Sequence, residues 1–385
     1  MALNLSRNSR LWVSTVTSGH DNSNTFEIPL QPDFSFSQGM SFEDISPEEA
    51  GPVPVRGSKR FNSALDPVDW SFSTYLNPYI FGGSNVMAVD AILWHALATS
   101  NDLSPDFNGD GSGNPGTTDV YYSPTSFNVG FTKNSAHVLT ELNLYFKIDN
   151  KVYHVKKAQV NQADIPLDIS GIGMTNWAGQ ATEIEEITAP AFMSGTGLAF
   201  DDSTPTNDEF VAIPSNAVYL LNKLTTVSMQ SDVSGSNANY TIGLTGGSLT
   251  ISNNITYVTP TTLANVDTPI GSFTGTFDVS GTMESYLKDG VGSANGTSSS
   301  NAYGSADLLK QMLSNRSVVN STNIVISING EGSTSKVVVT LPQAQIAIPS
   351  MSVDSIVSQS FEFKGIPSSA DMDDGDEVDI KFYTA

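Results

Sequence analysis

Apolar residues along this chain mostly alternate with small polar ones. Val68, Trp70 and Phe72 alternate with Asp69, Ser71 and Ser73, and Phe273, Phe277 and Val279 with Thr274, Thr276, Asp278 and Ser280. A period of two carried by β-branched and aromatic residues predicts strands with one buried face. The same parity sets Ile165, Leu167 and Ile169 against Gln162, Asp164 and Asp168. It sets Met351 and Val353 against Ser350, Ser352 and Asp354, and Phe361 and Phe363 against Ser360, Glu362 and Lys364. The apolar members are expected to fill sandwich cores. Two segments read as helix. One is 86–99, with Ile92, Leu93, Trp94 and Leu97; the other is 305–314, with Leu308, Leu309, Met312 and Leu313 and with Ser305 at the cap position.

The order strands, one helix, strands occurs twice, which predicts an internal duplication. Tyr75-Leu76 and Tyr286-Leu287 each close an alternating strand, and a helix follows each after a loop. Residues 142–148 correspond to 324–328. An offset of 186 then lays Ala158-Gln159-Val160 on Ala344-Gln345-Ile346, Asp168 on Asp354, Trp177 on Phe363 and Gly179 on Gly365. The predicted division is a first module over 1–200, a Pro/Thr-rich acidic linker over 201–214 and a second module over 215–385.

Composition narrows the partners. The net charge is −23 over 385 residues, so a basic nucleic-acid surface is excluded as a default. The acidity is shared: residues 1–200 hold 10 basic and 21 acidic side chains, residues 201–385 hold 7 and 19. Charged residues make up only 15% and hydrophobic ones 39%, unlike a disordered acidic tail. With no cysteine there is no disulfide framework, zinc-thiolate site or cysteine nucleophile. No run approaches the roughly 18–20 apolar residues of a membrane span. Leu11, Trp12 and Val13 are too short a run for a secretory signal, so a chain made and used without export is expected.

Catalytic patterns are missing. His20, His95, His137 and His154 show no metal-ligand spacing, and there is no Gly-x-Ser-x-Gly elbow. Gly111, Gly113 and Gly116 match a dinucleotide fingerprint in spacing, but in a Gly/Asn/Pro loop with no strand before and no helix after. Asp106, Asn108 and Asp110, followed by Gly111, have calcium-loop spacing. Thr117 stands where the bidentate acid belongs, so an ordinary polar loop is the leading expectation and a calcium site the alternative. No enzyme and no cofactor are expected.

Two passages carry a family resemblance. One runs from Ala50-Gly51-Pro52 through Arg56-Gly57-Ser58-Lys59-Arg60-Phe61 to Trp70-Ser71-Phe72. The other runs from Gln159-Val160-Asn161-Gln162-Ala163-Asp164-Ile165 to Trp177-Ala178-Gly179. Both resemble the major tail tube proteins of long-tailed bacteriophages. Asn253-Asn254-Ile255-Thr256-Tyr257 and Pro269-Ile270-Gly271-Ser272-Phe273 extend the likeness to the duplicated tube protein of T-five-type siphophages. That relative carries an added immunoglobulin-like decoration domain, which is not expected before Ala385.

The resemblance implies a mainly β fold: two tandem tail-tube β-sandwich modules, each with one flanking α-helix, giving strands to an intersubunit β-barrel. It implies a structural virion protein, assembled in the host bacterial cytoplasm. Trimeric, pseudo-hexameric rings would stack into the hollow tail tube that conducts DNA, without specific binding, during ejection. Expected partners are further copies, a tape measure protein and tail-terminator or baseplate proteins, with no membrane. The alternatives are the inner tube of a contractile tail and, further off, a β-sandwich adhesin or glycan-binding protein.

Under that resemblance the polar strand faces become the lining of the bore, where acidic and neutral side chains let DNA slide without adhering. Asp69, Ser71, Ser73, Asp164, Asp168, Asp278, Asp354 and Glu362 are the expected lining. The stretch 43–65, too long for a hairpin turn, is expected to be a ring-stacking loop carrying Glu48, Glu49, Arg56, Lys59 and Arg60.

Overall fold

A computed structural model describes residues 9–20, 24–45, 57–81, 84–98, 120–131, 139–193, 216–231, 238–261, 266–289, 303–314, 321–330, 334–368 and 375–384. These residues are mainly β. The first strands are β1(Ser9–Ser14), β2(Thr25–Ile28), β3(Ser35–Ile45), β4(Lys59–Tyr75), β5(Pro78–Phe81) and β6(Asn85–Ala88). Helix α1(Ala91–Ala98) precedes β7(Val120–Tyr122), β8(Phe127–Gly130), β9(Leu142–Ile148), β10(Lys151–Pro166), β11(Met174–Ala181) and β12(Glu183–Ile187). Then come β13(Leu220–Ser231), β14(Ala238–Ile242), β15(Leu244–Ser252), β16(Thr256–Val258), β17(Gly271–Phe273) and β18(Asp278–Tyr286). Helix α2(Ser305–Ser314) is followed by β19(Thr322–Gly330), β20(Lys336–Ile346), β21(Ser350–Val353), β22(Val357–Gly365) and β23(Asp379–Tyr383).

Two strands each serve two sheets. The first part of β10 pairs with β9 and β12. The chain bends at Lys157, whose φ is 50°, and the second part pairs with β11 and β15. In the same way β20 pairs first with β19 and β23, then at Ala344–Ile346 with β22. Apolar residues from these strands and their neighbours meet in one core cluster that includes Phe72, Phe146, Ile165, Phe363 and Ile380.

The alternation places that core as expected along β4: Val68, Trp70 and Phe72 are buried and Asp69 is exposed. Phe72 meets Phe146 of β9 edge-on across the sandwich. Helix α1 is buried on all sides, with Trp94 against Trp177 at 4.8 Å and Phe382 at 6.1 Å. An interior helix of this kind is held by apolar contact rather than by an amphipathic stripe.

Several expectations need correction. The first helix is shorter than 86–99, because Val86–Ala88 belong to the β5–β6 hairpin and α1 begins only after Asp90. Ser305 opens α2 but does not cap it. Its hydroxyl donates to the Tyr286 carbonyl and accepts from the Lys288 amide, while the Asp307 carboxylate accepts the Gly304 N–H. The stretch 43–65 is partly strand, since Glu43–Ile45 pair with Lys59–Phe61. Phe273 is exposed and 274–277 are not strand, so only Val279 of that predicted apolar set is fully buried. Ile169, Met351 and Val353 are exposed rather than in the core.

Candidate functional site

A single sheet runs through both halves in the order β3-β4-β11-β10-β15-β18-β22, with β20 and β21 along the far edge of β22. The joint in its middle is β10 against β15, with Asp164 opposite Thr250 and Ile165 opposite Leu249. Cross-strand partners share a face. Following the register from strand to strand therefore shows that one face is largely polar, with Tyr75, Met174, Ala178 and Tyr286 the apolar and aromatic members among it.

Asp69 lies opposite Gln180, whose amide donates to it at 2.9 Å; Ser71 lies opposite Ser35; Ser73 donates to Asn176 at 2.8 Å. Asp164 accepts from Thr250 Oγ1 at 2.8 Å and from Asn176 Nδ2 at 3.3 Å, tying β10, β11 and β15 together. Asp278 accepts from Ser280 and pairs with Lys364, whose ammonium holds the carboxyl below the usual range. Glu362 lies opposite Thr282. The other face carries Trp70, Phe72, Trp177, Ile165, Leu249 and Phe363, all buried.

Six of the expected lining residues thus meet on one face: Asp69, Ser71, Ser73, Asp164, Asp278 and Glu362. Asp168 and Asp354 lie just past the ends of β10 and β21, exposed, off the strand ladders. The face also includes Ser37, Asn176, Gln180, Thr250 and Lys364. Of these, Lys364 belongs to the polar set opposed to Phe361 and Phe363 in the sequence, and Thr250 was legible in the alternation Ser248-Leu249-Thr250-Ile251-Ser252. On the second half the polar face is hollowed into an open groove of about 550 Å³ lined by Thr250, Asp278, Ser280, Gln345, Glu362 and Lys364.

The β3–β4 hairpin projects beyond this sheet. Its outer part exposes Met40, Phe42, Ile45 and Phe61, with Arg60 bonded to Asp44 at 2.7 and 2.9 Å and lying over the Phe42 ring. The Arg60 guanidinium holds the Asp44 carboxyl below its usual range. A two-stranded ribbon with apolar side chains in water has little stability of its own. Lys59 and Arg60 open β4; Glu48, Glu49 and Arg56 lie outside the described residues, as do Asp106, Asn108 and Asp110.

Buried polar groups elsewhere hold the fold rather than react. Asp90 accepts from Thr74 Oγ1 at 2.8 Å and Trp94 Nε1 at 3.2 Å, and Trp177 Nε1 donates to that Thr74 hydroxyl. Burial pushes the Asp90 carboxyl up to about 6. In the second half Gln359 Nε2 donates to Ser285 Oγ and the Ser305 carbonyl, tying α2 to its sheet. His154 stacks on Tyr145 and bonds Asn143 and Glu185; burial lowers its pKa. His95 is buried in α1. Among the described residues no group of three or more His, Cys, Asp or Glu is placed to hold a metal ion, and no helix is long and apolar enough to cross a membrane.

No family model matches the chain. Against characterised proteins it is 37% identical over 385 residues to tail tube protein pb6 of Escherichia phage T5, across 99% of this chain and 76% of that one. Among solved structures, a chain of the anti-feeding prophage baseplate (six-fold symmetrised cryo-EM) aligns with 36% of this chain and 86% of its own. The identity there is 17% and the TM-score 0.23, too low to bear on the fold.

Proposed function

This chain belongs to the phage tail tube protein family, and on that premise we propose that three copies join edge to edge into a ring whose polar faces surround a DNA conduit. It is a structural protein of the virion tail, not an enzyme. The observation that carries the ring is the continuous sheet, built from both halves of the chain, with one largely polar face. Each chain offers eight strands to it when the collinear β20 and β21 are taken as one. Three chains supply 24. At roughly 4.8 Å between strands the circumference is at least roughly 115 Å, and strand tilt widens it further. A DNA duplex fits through such a bore.

With the internal duplication expected from the sequence, a trimer would be pseudo-sixfold. The first module would contribute β3, β4, β11 and β10, the second β15, β18, β22 and β20–β21, each with one helix outside. The boundaries 1–200 and 215–385 flank a join outside the described residues. The β10–β15 joint inside the chain is then the template for the joint between chains.

A lining of hydroxyls, amides and carboxylates binds few phosphates. Counterion release therefore gives DNA little affinity for the wall, and repulsion is confined to about 8 Å by salt. The projecting β3–β4 hairpin, with its cations and exposed apolar side chains, supplies the contact between stacked rings. Tape measure and terminator or baseplate proteins meet the tube inside and at its ends. Negative-stain microscopy of the purified protein tests this reading: hollow rods with threefold end views support it, and compact monomers at assembly concentrations overturn it.

A further inference from the structure

Resting on that ring reading, we infer that β21 of one copy pairs antiparallel with β3 of the next, with Ser350 opposite Ser37 and Met351 opposite Phe36. Three observations lead to this register. The first is the built joint: Asp164 faces Thr250 and Ile165 faces Leu249 where β10 meets β15.

The second is the correspondence of the strands on either side. Asp164 lies opposite Asn176, and Ser350 opposite Ser360. The offset of 186 then carries Asp164 to Ser350, Ile165 to Met351 and Leu167 to Val353. On the other side Ser37 lies opposite Asp69 and Phe36 opposite Trp70, while Thr250 lies opposite Ser280 and Leu249 opposite Gly281. Asp69 and Ser280 are related by the same 211 positions that relate Tyr75-Leu76 to Tyr286-Leu287. So β3 stands to β4 as β15 stands to β18.

The third observation is exposure. Ile165 and Leu167 are 1% and 4% exposed in the completed joint, whereas their counterparts Met351 and Val353 are 55% and 77% exposed. Ile348, next to them, is exposed as well. Among the described residues β3 is paired only with β4 and β21 only with β22, so each has one open edge. Open edges carrying apolar side chains require a partner strand. A second copy presents the complementary edge, with polar Ser37 to Ser350 on the bore side and Phe36 to Met351 on the core side.

Cysteine cross-linking reads the register directly, because the chain has no cysteine of its own. Directly opposed residues in an antiparallel ladder lie within disulfide reach. A residue four places along β3 is displaced by roughly 14 Å. In assembled rods the Ser37→Cys/Ser350→Cys variant should convert most monomer to covalent dimer and closed trimer on oxidation, and Ser41→Cys/Ser350→Cys should stay monomeric on a denaturing gel. Rods that cross-link only in the shifted pair overturn this register and leave the ring standing. Wild-type protein that never forms rings overturns both. As a second variant, Met351→Asp should keep the melting midpoint of the isolated chain, since the side chain is exposed there, and reduce assembly at least tenfold. Undiminished assembly of Met351→Asp contradicts the joint.

Discussion

Trp70 lies directly across from Gly179, and in the second half Gly281 lies across from Phe363, so the strand register matches Gly179 to Phe363, two places from the gapless alignment that laid Trp177 there. A Cβ added at Gly179 would sit 2.3 Å from Trp70 Cζ2; one added at Gly281 would sit 2.4 Å from Phe363 Cζ. Four positions after Trp70 and Gly281 stand Thr74 and Ser285, both buried hydroxyls. In each half one strand carries the bulky ring and its neighbour the glycine that leaves room for it, with the order of the two reversed between β4–β11 and β18–β22.

Gly179→Ala and Gly281→Ala should each destabilise the isolated chain by about 2–3 kcal/mol, the cost of overpacking a filled site. The added methyl also meets a backbone carbonyl, Gln159 O at 2.1 Å or Ser248 O at 2.3 Å, so trimming the aromatic partner should restore only part of the loss. Denaturant midpoints of single and paired variants (Trp70→Leu, Phe363→Leu) check this; full recovery by the paired change contradicts it.

Asp90 should give the chain a pH dependence opposite to that of its surface carboxylates. Burial raises it from an ordinary 3.8 to about 6. Its contribution is complete below about pH 4 and is lost as the pH rises through about 6, by about 3 kcal/mol in total. Asp90→Asn removes the titration and keeps one acceptor oxygen, enough for one of the two donors Thr74 and Trp94; the loss of the other bond is a pH-independent offset. The wild-type-minus-variant stability difference should therefore fall between pH 4 and 6, and a flat difference would count against a buried neutral carboxyl.

Reversing the exposed acids Asp69, Asp168, Asp354 and Glu362 to Lys should leave tubes intact but slow DNA ejection. The slowing should diminish with added salt, because each lysine becomes a phosphate contact. Ejection kinetics followed by dye uptake, at two salt concentrations, provide the readout; unchanged rates at low salt remove these residues from the bore.

The hairpin prediction separates stacking from folding. The Arg60–Asp44 pair is exposed, with side chains 60% and 50% accessible, so Arg60→Ala should leave the melting midpoint of the isolated chain within about a degree. Reversal of Arg56, Lys59 and Arg60 together to Glu should yield single rings that fail to lengthen. Normal rods from the triple variant contradict a stacking role.

Much of the fold was legible wherever one face of a strand is buried and the other polar, because a period of two then fixes both the element and its orientation. Val68 to Ser73, Ile324 to Ile328 and Phe361 to Lys364 are of this kind. The misread segments share a physical cause. Val86–Ala88 is a continuous apolar run, which periodicity cannot divide between strand and helix; Asp90 sets the start of α1 through buried bonds, one of them to Thr74 on β4, which no local pattern shows. Met351 and Val353 have core parity, yet a single chain supplies nothing to cover them. The polar face was visible strand by strand, but its continuity was not, since that depends on β10 meeting β15, a pairing no local pattern encodes.

A cryo-EM map of the assembled rod measures the central claim. Three chains per ring, 24 strands around the bore (eight from each chain) and the carboxylates of Asp69, Asp164, Asp278 and Glu362 turned inward are the expected result. Six chains per ring, or a bore lined by other elements with this polar face outward, would contradict it.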